Sequence, residues 1–303
     1  MSELRRVHLL LELSRRGTIA AVAEATSYST SGISQQLAAL ERDIGTSLLE
    51  PDGRRLKLTP AGEAIVAEAG GILASWEQLR ARALSAAGEI GGELRLGVFQ
   101  TGLLALGPDL LDALAAKHPA LDVRVIHAEP EDAIPALRTR ELDAAIIEHY
   151  PPASSPQPPD LHAHVTRADP MLLAVPPRFA GTAAGLSDLR DAPWVFEAPG
   201  SPVREWAERL CHEAGFVPRI RYQTSDVLTQ LELVRQDRAA AFIPALAQGS
   251  RSVVRTLELP RQARTLQLVT RASAARLPAV RALGEALAGL GGWTSGSRAP
   301  SAR

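Results

Sequence analysis

Apolar positions in the first sixty residues recur at helical spacing three times. Leu4, Val7, Leu10, Leu11 and Leu13 form one stripe, Ile19, Val22 and Ala23 a second, and Ile33, Leu37 and Leu40 a third. Thr18, just after Gly17, suits the N-cap of the second helix, and Ser29 or Thr30 that of the third. Small Ala23 lets those two helices cross closely. "SLLEPDGRRLKLT" then predicts two short strands around a Pro-Asp-Gly turn. Three helices and a hairpin describe a winged helix-turn-helix over residues 1–59.

Residues 60–90 predict one long Ala-rich helix. Ile65, Ala69, Ile72, Trp76, Leu79 and Ala83 are spaced alternately by four and three, which is a coiled-coil seam. Such a stripe needs a cover, either the chain's own domains or a second copy. Gly70 and Gly71 sit mid-seam and should loosen the helix by about 1 kcal/mol each relative to Ala.

From residue 93 to 271, short apolar runs alternate with helical patterns. Strands are expected at "GELRLGVFQT", "DVRVIH", "LDAAIIE", "MLLAV", "PWVFEA", "AAAFIP", "VVRTLEL" and "TLQLVTR". Helices are expected at 108–117, 134–140, 202–214 and 227–235. This alternation favours α/β architecture with a mostly parallel sheet. Residues 289–303, rich in Gly and Ser, read as a loose tail.

Composition refines this picture. The chain has 303 residues, 46% hydrophobic and 22% charged, enough for two or three domains. One cysteine, Cys211, rules out an intrachain disulfide and fits a reducing cytoplasm. The first twenty residues hold an apolar run too short for a signal or membrane segment, so a cytoplasmic protein without a membrane partner is expected. Net charge is −1, and residues 1–60 hold eight Lys/Arg against seven Asp/Glu. Attraction to DNA must therefore be local, at "DGRRLK" with Arg54, Arg55 and Lys57.

The polar run "SYSTS" before "GISQQL" reads as a turn and the exposed start of a helix. Helix N-termini carry unpaired N–H groups suited to phosphate, and a recognition helix enters the major groove with its first turns. Ser29, Thr30, Ser31, Ser34, Gln35 and Gln36 are short enough to approach base edges, and Gln pairs with adenine in bidentate fashion. The alternative is a polar helix face in a module that does not bind DNA.

Residues 4–66 resemble the DNA-binding domain of LysR-type transcriptional regulators. The shared pattern is carried by Ser29, Ile33, Ser34, Gln36, Leu40, Glu41, Gly45, Leu48, Leu49, Arg55, Leu58, Thr59, Ala61 and Gly62. The chain departs from it at Thr30 and Ser31, where Gln-Pro is common, and at Gln35, where Arg or Lys is frequent. Pro51 stands for Arg in the wing, and Thr26 for Leu. The family's operator sequence therefore does not carry over.

The resemblance implies several things. Double-stranded DNA is the partner, RNA polymerase a further one, and the long helix dimerises through Ile65, Ile72, Trp76 and Leu79. A homodimer or dimer of dimers would present two heads to two half-sites. Residues 91–288 would form an effector-binding domain like a periplasmic binding protein. Its first subdomain would span about 93–166 and 270–288, its second about 167–269. A small-molecule effector would sit between them. Gln100 and Thr101, and Gly200 and Ser201, each open a helix after a strand, which suits an anion and makes a small carboxylate the expected ligand. For Thr101, Ser201 and Thr224 the alternative is an ordinary N-cap. Glu148, at a strand end beside His149, either holds an amine, which favours an amino acid, or faces water. Phe242 lines the wall or packs in the core.

No G-x-S-x-G, H-E-x-x-H, Walker or paired-cysteine motif is present. His162 and His164 lack a third metal ligand, and Cys211, His212 and Glu213 diverge on a helix. No catalytic residue, metal or cofactor is expected. The competing reading is a small-molecule-binding or enzymatic α/β module with a helical N-terminal domain.

Overall fold

The computed structural model describes residues 2–26, 28–52, 55–88, 90–150, 160–248 and 254–295. The head comprises α1 (Glu3–Arg16), α2 (Ile19–Ala25), α3 (Thr30–Ile44), β1 (Leu49–Asp52) and β2 (Arg55–Leu58). Its three apolar stripes meet in one core of Leu9, Leu10, Leu13, Val22, Ile33, Leu37, Leu40 and Leu48. Punctuation follows chemistry. Gly17 and Gly45 close α1 and α3 in left-handed turns (φ 76° and 83°). Thr18 and Ser29 accept cap bonds from the N–H groups of Ala21 and Gly32, both at 3.1 Å.

Side chains then fasten the hairpin to the helices. Glu41 on α3 accepts from the N–H groups of Leu48 and Leu49 at 2.8 and 3.1 Å. Thr59 donates to the Ser47 carbonyl at 2.8 Å and caps α4 (Pro60–Ala87) through the Gly62 N–H. Gly62 is obligatory, because a Cβ there would lie 2.2 Å from the Leu48 carbonyl oxygen.

The seam on α4 is split. Ile65 is partly buried against the head core, and Ala69 with Leu73 packs on Leu11 of α1. Ile72, Trp76 and Leu79 remain 49%, 51% and 57% exposed. The chain's own head therefore covers the first turns of the stripe and leaves the later ones exposed.

The remainder runs β3 (Gly92–Val98), α5 (Gln100–Lys117), β4 (Leu121–His127), α6 (Pro130–Arg138), β5 (Ala144–His149) and β6 (Leu161–Ala174). It continues through β7 (Pro193–Phe196), α7 (Pro202–Glu213), β8 (Arg219–Gln223), α8 (Val227–Arg235) and β9 (Ala241–Pro244). β10 (Thr256–Arg271), α9 (Pro278–Gly289) and β11 (Thr294–Ser295) complete it. The main sheet has the order β11-β6-β10-β5-β3-β4, with β9 also on β6, and β7 pairs with β8 in a second sheet.

The sheet is mixed rather than mostly parallel. β3 is parallel to β4 and β5, but β10 is antiparallel to β5 and to β6, and β6 is antiparallel to β9. The cause is two long strands, β6 and β10, which run through both lobes. "VVRTLEL" and "TLQLVTR" were separate expectations, yet β10 is one strand, interrupted in register between Glu258 and Ala263, where Arg261 takes φ 61°.

Other elements differ as well: α6 spans Pro130–Arg138 where 134–140 is expected, and β6 begins at Leu161, ten residues before "MLLAV". α5 starts at Gln100, with Pro108 inside it. The proline forfeits one helical bond next to half-exposed Leu104, where water can serve the freed carbonyl. β8 was not anticipated, because Arg219 and Arg221 mask its alternation. The expected tail is packed as far as residue 295, with Trp293 buried in the first lobe's core and β11 paired to β6. Among the described residues, no helix is long and apolar enough to cross a membrane.

Candidate DNA-binding head and effector cleft

The leading turn of α3 faces outward. Ser29, Thr30, Ser31, Ser34 and Gln35 are exposed, and Gln36 is half-buried. Their chemistry is divided. Ser29 is the N-cap and touches the Ser31 hydroxyl at 3.1 Å. Ser34 donates to the Thr30 carbonyl at 3.0 Å, and Gln36 Oε1 accepts from Arg6 Nε at 3.2 Å. Thr26, which replaces the family's Leu, is buried and returns its hydroxyl to the Val22 carbonyl at 2.6 Å. Arg54 lies outside the described residues. Arg55 opens β2 opposite Asp52.

Between the two lobes lies a cleft of about 1400 Å³. Gln100, Thr101, Glu148, Ser201, Thr224 and Phe242 all line it. Their hydrogen bonds, however, are made largely to the protein itself. Gln100 spans the cleft: its amide donates to Asp226 Oδ1 at 2.9 Å and accepts from the Val227 N–H at 3.1 Å. Thr101 is buried and accepts from Arg264 at 2.7 Å. Ser201 caps α7 through the Arg204 N–H at 3.3 Å. Thr224 accepts from the Asp226 N–H at 3.1 Å. Phe242 stacks on Trp194 at 5.1 Å and meets Trp206 edge-on at 5.2 Å, so it is core and wall at once. Each expected anion site thus already commits part of its hydrogen bonding to the chain itself.

Arg264 is the organising charge of the cleft floor. It is 2% exposed and bonds Asp169 at 2.8 Å, Thr101, Glu148 and, at 3.5 Å, the Tyr150 hydroxyl. Its guanidinium also lies over the Phe99 ring, 5.0 Å from the centroid. Burial holds the Glu148 carboxyl above its ordinary range even so. Glu197, at the end of β7, is pushed up to about 7 by burial and then by the Glu148 charge, with the Ser201 hydroxyl acting the other way. His149 is held below the usual imidazole range by burial.

A family model described as "LysR substrate binding domain" matches residues 87–291, and "Bacterial regulatory helix-turn-helix protein, lysR family" matches residues 4–63. The chain belongs to the LysR family. It is a LysR-type DNA-binding transcriptional regulator with a C-terminal effector-binding domain. A "Probable hydrogen peroxide-inducible genes activator" of Mycobacterium xenopi is 38% identical over 125 residues, 41% of this chain and 66% of that relative's length. The fold is also that of a full-length OxyR point variant from Pseudomonas aeruginosa (TM-score 0.65, 24% identity, 95% and 94% of the two chains). It is likewise that of full-length CbnR complexed with its target DNA (TM-score 0.52, 24% identity, 94% and 100%).

In this LysR regulator, Arg264 and Glu197 escaped the sequence reading. A usable signal existed for Arg264, because it falls in phase with Leu266 and Leu268 on the buried face of β10. A charge on an apolar face marks a paired interior site. Glu197 ends a strand just as Glu148 does. Cys211 is fully buried in α7, and burial pushes its thiol up to about 12. His162 and His164 meet edge-to-face at 4.7 Å, and His164 bonds to Thr270 at 2.8 Å.

Proposed function

We propose that this regulator is a cytoplasmic homodimer or dimer of dimers that senses a small molecule in the lobe cleft. Its subunits would be joined through the exposed Ile72, Trp76 and Leu79 stripe of α4. Thr30, Ser31, Ser34, Gln35 and Gln36 meet base edges, with Ser29 fixing the turn and Arg54 and Arg55 of the wing holding phosphate. The effector is a small charged organic molecule, with a carboxylate or an amino acid suggested by the helix starts and an amine by the cleft's carboxyl groups. RNA polymerase is a downstream partner.

The observation that carries the reading is the exposed polar leading turn of α3 on a well-packed head, in the same chain as a large cleft. A ligand acts only through a difference in affinity between two arrangements of the chain. Peroxide sensing by a thiol, suggested by the Mycobacterium relative's name, fits poorly. Cys211 is the sequence's one cysteine, and a buried thiol with a pKa near 12 supplies no thiolate at neutral pH.

Titration of the protein against the DNA upstream of its gene, in rising salt, tests this. A regulator loses affinity steeply with salt while still preferring its site over random DNA. Equal, weak binding to all DNA would favour an α/β binding or enzymatic module instead.

A further inference from the structure

We propose that the ligand of the cleft carries a positively charged amine and that Glu197 is the residue that receives it. This rests on the effector reading above and narrows it to one ligand class. The cleft offers an anion and a cation very different partners.

An anion would need a free cation or a free helix N-terminus. Among the described residues, three arginines line the cleft, and each is engaged. Arg264 directs its donors at Glu148, Asp169, Thr101 and Tyr150. Arg138 holds Asp160 through two nitrogens, at 2.7 and 3.3 Å. Arg204 holds Glu208 at 2.8 Å and the Glu197 carbonyl at 3.1 Å. The N-terminus of α5 meets Glu129, that of α7 the Ser201 hydroxyl, and that of α8 both Asp226 and Gln100.

The cleft's carboxyl groups are placed otherwise. Glu129, Glu131, Glu148 and Glu197 line it together. Glu148 is taken up by Arg264, whereas Glu197 lines the same cleft with the Ser201 hydroxyl as its side-chain partner. Phe196, Phe242 and Val203 supply apolar wall beside it. An organic ammonium group meets both needs, with its charge at Glu197 and its skeleton on the aromatic side. The groups facing Glu197 are Glu148 and Tyr150 from β5 and its end, Glu129 and Glu131 from the start of α6, and Ser201 and Arg204 from α7. Burial first, and then the charge of Glu148, raises the Glu197 pKa to about 7, with the Ser201 hydroxyl opposing. An arriving cation therefore displaces a proton at neutral pH.

The experiment uses the full chain and three matched probe pairs: butylammonium and butyrate, cyclohexylmethylammonium and cyclohexanecarboxylate, benzylammonium and benzoate. Calorimetry and thermal shift are run on wild type and Glu197→Gln. Amines should bind and carboxylates should not, and the variant should weaken amines about tenfold or more. In wild type, amine affinity should rise about tenfold from pH 6 to pH 8, with proton release at pH 7 seen as buffer-dependent heat. These wild-type measurements stand even where the variant folds badly. Preference for the carboxylates, no binding of any amine, or an amine affinity indifferent to both pH and Glu197 would overturn the proposal. DNA titration of the same sample separates the two readings. Site-specific DNA binding with carboxylate preference overturns only the amine. Amine binding through Glu197 without site-specific DNA binding overturns only the regulator.

Discussion

Arg271, the last residue of β10, donates from Nε to Glu77 of α4 at 3.0 Å, tying the sensor lobe to the middle of the long helix. Arg140 and Ser273 also bond to Glu77, and Arg271 directs Nη1 at the carbonyls of Leu137 and Leu142 at 2.5 and 2.6 Å and Nη2 at Glu77 and Asp143 at 2.9 and 3.7 Å. A second tie runs from His8 Nε2 on α1 to the Thr139 carbonyl at 2.6 Å. Both partners of the ion pair are nearly buried, so removing Glu77 leaves Arg271 with only Asp143, at 3.7 Å, as a charged partner and takes the partner of Arg140 as well. Glu77→Ala should cost about 3 kcal/mol in urea unfolding. A loss near zero would show the pair to be solvated.

Gly62→Ala should destabilise the head. The added Cβ collides with backbone at Leu48, not with a movable side chain. A loss of about 1–3 kcal/mol is expected by thermal melting, together with weaker DNA binding as the hairpin shifts.

Gln36→Ala should reduce preference for the specific DNA site, at a cost of about 1–3 kcal/mol, while the cleft still binds its ligand. The readouts are footprinting and calorimetry. An unchanged footprint would mean that another face of α3 reads the DNA.

Thr101→Val should act on stability rather than on ligand affinity. Thr101 accepts from buried Arg264, so a methyl in its place orphans one guanidinium N–H, at about 1–3 kcal/mol. Equilibrium unfolding measures the loss.

Stability should also depend on Glu197 through pH. Its folded pKa, about 7, lies above the ordinary value of 4.5, so the folded state keeps a proton that the unfolded chain gives up. The contribution is full below about pH 4.5 and is lost as pH rises through 7. Glu197→Gln should flatten that part of the stability profile, read from melts between about pH 4 and 8.

Much of the head was legible from its residues. Three apolar stripes, two glycine stops and two hydroxyl caps are local signals, and they fold locally. The helices at 202–214 and 227–235 were legible for the same reason. What could not be read depends on contacts distant in sequence. Arg264 pairs with Glu148 and Asp169, about a hundred residues away, and no local pattern announces such partners. The helix N-termini did announce themselves, but not that Glu129, Gln100 and Asp226 would fill them. Position alone thus suggested an anion, whereas the filled positions favour a cation.

The two long strands restrict how the lobes can respond to a guest. β6 and β10 are bonded to each other along both lobes, with Arg264 in the cleft and Arg271 at the helix, seven positions further along the same strand. Such a ribbon resists stretching and yields most easily in torsion. On the effector reading proposed above, a guest that moves Arg264 would reach Glu77 along this two-stranded shaft and not through the slack of a loop.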